Sequence, residues 1–308
     1  MSEVNFTHSN GNKVTLTVPS SLSGDVTVRL PNETCTLGMG DGFIAEGGVE
    51  TTYTSSGTTY MLHTFLTSGV FRCNQDRTID FLLVGGGGGS AGAEGSYGAS
   101  GGGGGGGIVE GTSFALSAGT YVVTVGAGGA SSNTTTVAGN GGDTTFAGVT
   151  AKGGGGGADY GSTGADGGSG GGGAEPYTNA GNEIQSSQNS GISNIQQFGF
   201  DGGQGGNYTG SPTGGGGGGG AGGAGAQPTS TDHSNSVGGA AGAGRANSIT
   251  GTSTTYGRGG IGGGSGQLFA EPGLNGRGDG ATGATANHPY EGLGANGGTG
   301  IVIIRYTI

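Results

Sequence analysis

The sequence predicts an all-β base carrying a glycine-rich bundle of packed polyglycine II helices, with essentially no α-helix. Three observations predict it. Of 308 residues, 86 are glycine, only 9% are charged and none is tryptophan, whereas ordinary globular chains have roughly 7% glycine and about 25% charged residues. Short β-branched and aromatic islands sit at the start, in the middle and at the end of the glycine-rich part. No 3.6-residue apolar periodicity of helical length occurs. Too few large side chains exist to fill the single core of a conventional enzyme. Collagen is excluded, because the glycines keep no period of three and only 7 prolines accompany them. A disordered polymer has no need of β-branched strands at both of its ends.

In chain order, residues 1–45 read as a short N-terminal β module. Lys13–Val18 and Asp25–Leu30 alternate in polarity around a Pro-Ser-Ser-Leu-Ser-Gly turn. Residues 46–308 form the glycine-rich domain, and 76 of the 86 glycines fall within 85–298. Thr58–Phe65 and Val70–Cys73 flank a Thr-Ser-Gly turn, and Thr78–Val84 is the strongest strand of this part. Thr120–Val125, Thr144–Ala151 and Ile301–Tyr306 are the later islands. Strands near 58–84, 120–151 and 301–306 are thus expected to clamp a polyglycine region over 85–300.

The uninterrupted runs Gly101–Gly107, Gly153–Gly157 and Gly214–Gly220 are poor helix and strand formers, since glycine costs about 0.5–1 kcal/mol relative to alanine in either. They readily form an extended helix of three residues per turn, whose amide and carbonyl groups all point outward; at roughly 3.1 Å per residue a seven-residue run spans about 22 Å. Packed side by side, such rods can satisfy one another's backbone groups, and only glycine permits the approach. Ordering a residue costs about 1–2 kcal/mol and a net hydrogen bond returns only about 0.5–1.5 kcal/mol. The bundle therefore needs help from anchoring strands, aromatic plugs such as Tyr97, Tyr160, Tyr208 and Tyr256, or oligomer contacts.

The net charge is −11, and the nine basic residues are dispersed. This argues against a nucleic-acid partner and against attraction to anionic lipid. Cys35 and Cys73 make neither a disulfide framework nor a metal site, although they could pair if adjacent. The N-terminus lacks the charge-then-apolar pattern of a secretory signal, and no stretch approaches 18 apolar residues. Membrane insertion is not expected. Leu83–Gly92 contains G-x-G-x-x-G, a pattern expected by chance at this glycine density and lacking the following helix. Arg277-Gly278-Asp279 is likewise a chance match. His8, His63, His233 and His288 show no ligand spacing. No enzyme activity, cofactor or metal is expected.

The glycine-poor interruptions are more informative. Residues 174–201 include Tyr177, Asn179, Asn194, Gln197, Phe198 and Phe200; residues 226–237 include Asp232 and His233; residues 284–291 include Asn287, His288 and Tyr290. In a bundle of rods such segments become turns at the ends. Their aromatic, amide and acidic side chains suit adaptable binding surfaces, while the same turns could merely cap the rods. These are the receptor-binding candidates.

The pattern His63-Thr-Phe-Leu-Thr-Ser-Gly-Val-Phe71, then Ile79–Val84 running into Gly85–Gly89, resembles the start of the glycine-rich domain of phage tail-fibre and adhesin proteins. Residues 119–129 (GTYVVTVGAGG) and 297–306 (GGTGIVIIRY) are similar to later elements of that family. Val14–Pro31 resembles an N-terminal module of marine-phage fibre proteins. The resemblance implies a polyglycine-helix sandwich on the virion exterior whose loops recognise the host surface, either a glycan or an outer-membrane protein. It implies that the N-terminal module docks on other virion proteins, with Val14, Leu16, Val18, Val26, Val28 and Leu30 as attachment candidates. It also implies a homo-oligomer, a trimer by analogy. This chain has no long shaft region, which leaves a capsid-decorating protein without receptor binding as the alternative.

Overall fold

The computed structural model describes residues 3–7, 13–17, 44–93, 98–133, 136–176, 178–207, 213–230, 235–264, 269–285 and 292–308. The chain divides into two compact units, Met1–Asp41 and Gly42–Ile308. In the first, strands β1 (Glu3–Thr7) and β2 (Lys13–Thr17) pair antiparallel, with Val4 opposite Leu16 and Phe6 opposite Val14. The strand expected over Asp25–Leu30 lies outside the described residues.

The second unit is built on strands β3 (Ala45–Glu46), β4 (Val49–Ser55), β5 (Thr58–Phe65), β6 (Gly69–Cys73), β7 (Arg77–Val84), β8 (Ile108–Leu116), β9 (Gly119–Val123), β10 (Thr144–Phe146), β11 (Val149–Ala151), β12 (Ile195–Phe198), β13 (Arg245–Asn247), β14 (Thr254–Tyr256) and β15 (Ile301–Thr307). A six-stranded sheet runs in the order β12-β8-β7-β15-β5-β4. A three-stranded sheet runs β3-β6-β9, and β10–β11 and β13–β14 are hairpins. Every named pairing is antiparallel. No α-helix occurs among the described residues.

The strand β15 shows why its sequence reads as it does. Its edges are paired with β7 and β5 and a core cluster covers each of its faces, so Ile301–Ile304 is apolar at every position rather than at alternate ones. Val302, Ile304 and Tyr306 join Phe65, Phe71, Phe81 and Phe146 on one face. Ile301 and Ile303 join Leu82, Val84, Ile108 and Tyr256 on the other. The aromatic rings meet edge to face, Phe71 with Phe146 at 5.9 Å and Phe81 with Phe114 at 5.1 Å. Buried His63 bridges the carbonyl of Gly47 (2.8 Å) and the hydroxyl of Tyr306 (3.0 Å). Burial pushes the Tyr306 phenol up to about 12. Cys73 is buried with its Sγ 3.3 Å from the carbonyl of Ser117, and burial raises its thiol; Cys35 lies outside the described residues.

Between these strands the glycine segments form straight rods. The rod at 101–107 shows their order. Gly101, Gly104 and Gly107 donate to the carbonyls of Ala158, Gly155 and Lys152. Gly102 and Gly105 donate to Gly216 and Gly219, and Gly103 and Gly106 to Ala281 and Gly278. The direction of donation therefore repeats every three residues. Carbonyls along the same rod accept from Gly172 and Ser169, from Gly260 and Gly263, and from Gly88 and Gly85. Six neighbouring segments thus surround this rod, at N···O distances of 2.8–3.1 Å. The run at 214–220 repeats the pattern: Gly215 and Gly218 donate to Gly263 and Gly260, Gly216 and Gly219 to Gly173 and Gly170, and Gly217 and Gly220 to Ala226 and Gly223.

Sterics explain the composition. A Cβ built on Gly87, Gly103 or Gly217 would fall inside the contact distance of the carbonyl oxygen of Asp279, Gly88 or Ala240 respectively. Each of those oxygens belongs to a neighbouring rod, so no side-chain rotation can relieve the clash.

The sheet sets the direction of the rods. Gly85 leaves from the end of β7 and Gly107 returns into the start of β8, so rods 85–90 and 101–107 run antiparallel, Gly85 bonding Gly107 and Gly88 bonding Gly104. Glycine segments likewise join β9 to β10, β11 to β12, β12 to β13 and β14 to β15.

The structure corrects several expectations about strands. The island 144–151 is a hairpin rather than one strand, turning at Ala147 and Gly148, both with positive φ. Strands β1, β3, β4, β8, β12, β13 and β14 were not anticipated. The segment 174–201 is not simply a turn: it contains a rod at 178–182 and strand β12, which pairs with Ile108–Gly111 of β8.

Candidate functional site

Three rods at the surface of the second unit lie side by side. Gly164 donates to the carbonyl of Asn179 (2.9 Å) and Gly167 to that of Asn182 (3.1 Å). Gly202 donates to Gly181 (3.1 Å) and Gly205 to Thr178 (3.0 Å). The backbone order is therefore 163–167, 178–182, 201–205. Donation again repeats every three residues, Gly164 and Gly167 to one neighbour and Ala165 and Gly168 to another, so residues three apart on one rod face the same side. Thr163 and Asp166, Asn179 and Asn182, and Asp201 and Gln204 stand at this spacing, one pair per rod. All six are exposed.

These side chains line a groove of about 630 Å³, with Gly164, Ala180, Gly181 and Gly202 as its floor. Several are held in place. Asp166 accepts from the backbone amide of Asn182 (2.6 Å) and from its side-chain amide (3.1 Å). Asp201 accepts from the amide of Glu183 (2.8 Å). The Gln204 amide reaches Asn179 Oδ1 at 3.4 Å. On the next rod, Asn140 donates to the carbonyl of Asp166 (3.0 Å) while its oxygen accepts from Gly156 (2.9 Å). The result is a neutral-to-acidic surface of fixed amides and carboxylates, with no basic or aromatic residue among the described lining residues. It can exchange hydrogen bonds with hydroxyl and amide groups. It offers no positive charge to an anion.

Of the sequence-predicted residues that are described, only Asn179 lies in this groove. Asn194 is exposed beside the six-stranded sheet, with φ +62, and donates to the carbonyl of Ser113 (3.1 Å). Gln197 and Phe198 are in β12. Gln197 accepts from Gln185 (3.0 Å) and Asn189 (2.7 Å), a network that also holds the carbonyl of Thr150. The Phe198 ring lies 3.4 Å under the guanidinium of Arg245, which grips Glu110 at 2.8 and 3.0 Å. Both side chains thus bind the strand to its neighbours. Phe200 is 41% exposed at the start of the rod that bears Asp201 and Gln204. Tyr177, Asp232, His233, Asn287, His288 and Tyr290 lie outside the described residues. Val14 and Leu16 lie in β2, whereas Val18, Val26, Val28 and Leu30 lie outside the described residues. Asp166, Asn182, Asp201, Gln204 and Thr163 were missed by sequence reasoning. Their signal was the repeated three-residue spacing of polar residues within glycine-rich sequence.

Buried acids lie elsewhere in the lattice. Glu175 is fully buried; its Oε1 accepts from the amide of Gly214, and its Oε2 has no hydrogen-bond partner. Burial pushes its carboxyl from an ordinary 4.5 up to about 7, against the lowering effect of the Gly214 bond. Asp279 is also buried and raised by burial, opposed by its bond from Arg258 and by the charges of Arg258 and Arg277. Among the described residues, no group of three or more His, Cys, Asp or Glu could hold a metal ion.

A family model described as a glycine-rich domain matches residues 64–307, which take in strands β6 to β15 and the rods. No curated protein matches the chain.

Proposed function

The chain belongs to the glycine-rich domain family, and on that premise we propose that it is a subunit of a phage virion fibre or adhesin. The rods are polyglycine II helices, and the three-residue repeat of their hydrogen-bond partners supports this reading. The bundle is a rigid scaffold rooted in the sheet, and it holds polar surface groups at fixed spacing. Residues 1–45 attach the subunit to other virion proteins; the scaffold faces the host. The protein acts by binding rather than by catalysis, needs no cofactor and works as a homo-oligomer.

The observation that carries this reading is the exposed groove of Thr163, Asp166, Asn179, Asn182, Asp201 and Gln204, fixed on a scaffold with almost no side-chain freedom of its own. A preorganised surface of this kind loses little entropy when a partner binds. Purified protein should adsorb to host cells and compete with virions for infection. Labelled antibody against the chain should mark the tip of a fibre in electron micrographs. Label on the capsid shell, together with no adsorption by folded protein, would replace this reading with that of a capsid-decorating protein.

A further inference from the structure

We propose that the groove over rods 163–167, 178–182 and 201–205 binds an extended, neutral oligosaccharide. This inference rests on the adhesin reading above and names the chemistry of its ligand. The rods are bonded to one another and to the lattice beneath: the amides of Gly164, Gly181 and Gly202 go to the carbonyls of Asn179, Gly171 and Gly181. A peptide strand pairs through main-chain groups at two-residue steps of roughly 7 Å, which do not match the three-residue steps of the rods. Phosphate, sulfate, sialate or uronate groups would meet two carboxylates and no cation, in a chain of net charge −11. An apolar ligand would find no ring or long aliphatic chain among the described lining residues.

What the groove supplies is a grid of side-chain donors and acceptors. Carboxylates accept from hydroxyls, and the amides of Asn179, Asn182 and Gln204 both donate and accept, as sugar hydroxyls do. The carboxylates are preorganised, because Asp166 is held by Asn182 and Asp201 by the amide of Glu183. Along each rod the groups repeat every three residues, which at the polyglycine II rise is roughly 9 Å. That is about the reach of two linked pyranose rings. Across the groove, adjacent rods present a second and third row. Binding through hydrogen bonds without ring stacking is weak, with a dissociation constant on the order of 1 mM for one site. Several copies on one particle turn it into firm attachment.

The test uses the full chain, labelled with ¹⁵N, titrated separately with maltohexaose, cellohexaose, N-acetylchitohexaose and, as an anionic comparison, hexagalacturonate. At least one neutral hexasaccharide should shift the side-chain amide signals of Asn179, Asn182 and Gln204, and hexagalacturonate should not. Gln204→Ala removes a side chain whose single bond is the long one to Asn179. Thr163→Arg places a bulky cation in the groove. Each should weaken binding at least tenfold while the dispersed amide spectrum remains unchanged. Unmoved amide signals with every neutral sugar would overturn the inference, as would full affinity in both variants. Adsorption to host cells, measured in parallel, separates the two readings. A chain that adsorbs but binds no neutral sugar loses this inference and keeps the adhesin assignment. A chain that binds the sugar yet never adsorbs does the reverse.

Discussion

Phe81 in the six-stranded sheet and Gly103 in the rods are both interior positions, yet they are held in opposite ways. Phe81 is 1% exposed and packs against the rings of Phe114 and Phe146. Gly103 has no side chain; its amide donates to Ala281, its carbonyl accepts from Gly260, and Gly88 occupies the space where a Cβ would stand. The sheet is stabilised by apolar area removed from water, a quantity that changes by degrees. The lattice is stabilised by mutual satisfaction of backbone groups at close approach, which fails abruptly when one atom is added. The same chain therefore contains one core that tolerates trimming and another that tolerates nothing.

Substitutions sharpen that contrast. The largest loss is expected for Gly103→Ala, because the new methyl must push apart rods that bond on every side; we expect more than about 5 kcal/mol, the range of exceptional single changes, or failure of the lattice to form. Phe81→Ala should cost about 3–5 kcal/mol, the usual range for a truncated core aromatic. Chemical denaturation of the two variants measures both. If Gly103→Ala proved milder than Phe81→Ala, the account of the lattice would be wrong.

Acidity probes the lattice from inside. The folded Glu175 carboxyl titrates near 7, above its unfolded value of 4.5, so between these values the folded state holds a proton that the unfolded chain has released. Stability is then greatest below about pH 4.5, falls as pH rises towards 7 and levels off above it. Glu175→Gln should remove this slope and raise stability at pH 8 by up to about 3 kcal/mol, the equivalent of the shift at 1.36 kcal/mol per unit. Thermal melts of both proteins from pH 4 to 8 give the comparison; identical slopes would contradict it. The smallest effect is expected at Gly57, where an added methyl meets no atom within 4 Å. Its φ is +80, so Gly57→Ala should cost only the left-handed strain of about 1–2 kcal/mol.

The two cores also differ in how well the sequence announces them. Strands β5, β7 and β15 were legible because Thr58–Phe65, Thr78–Val84 and Ile301–Tyr306 concentrate the large apolar residues of the domain. Strand β8 was not: after Ile108 and Val109 it continues Glu-Gly-Thr-Ser, and its Glu110 is neutralised by Arg245 from a distant hairpin. Strand β4 is an edge of threonine and other mostly exposed residues, with little periodic signal. That glycine runs would pack followed from their sterics. Which run lies beside which did not, because a glycine has no side chain with which to specify its neighbour; the order is imposed by where the strands release and recover the chain. The groove was partly legible. Asn179 was noticed as a polar residue in a glycine-poor segment, but its partners Asp166 and Gln204 sit within glycine-rich stretches. Only the lateral packing of the rods brings them together.

The glycine rods are an ordered core rather than a tolerated linker. Amide hydrogen exchange over 101–107 tests it most directly, since each amide from Gly101 to Gly107 donates to another rod. These amides should exchange as slowly as those of Phe81–Val84 in β7, through opening of the whole unit. Exchange at the rate of an unstructured chain across 101–107, with the sheet still protected, would contradict it.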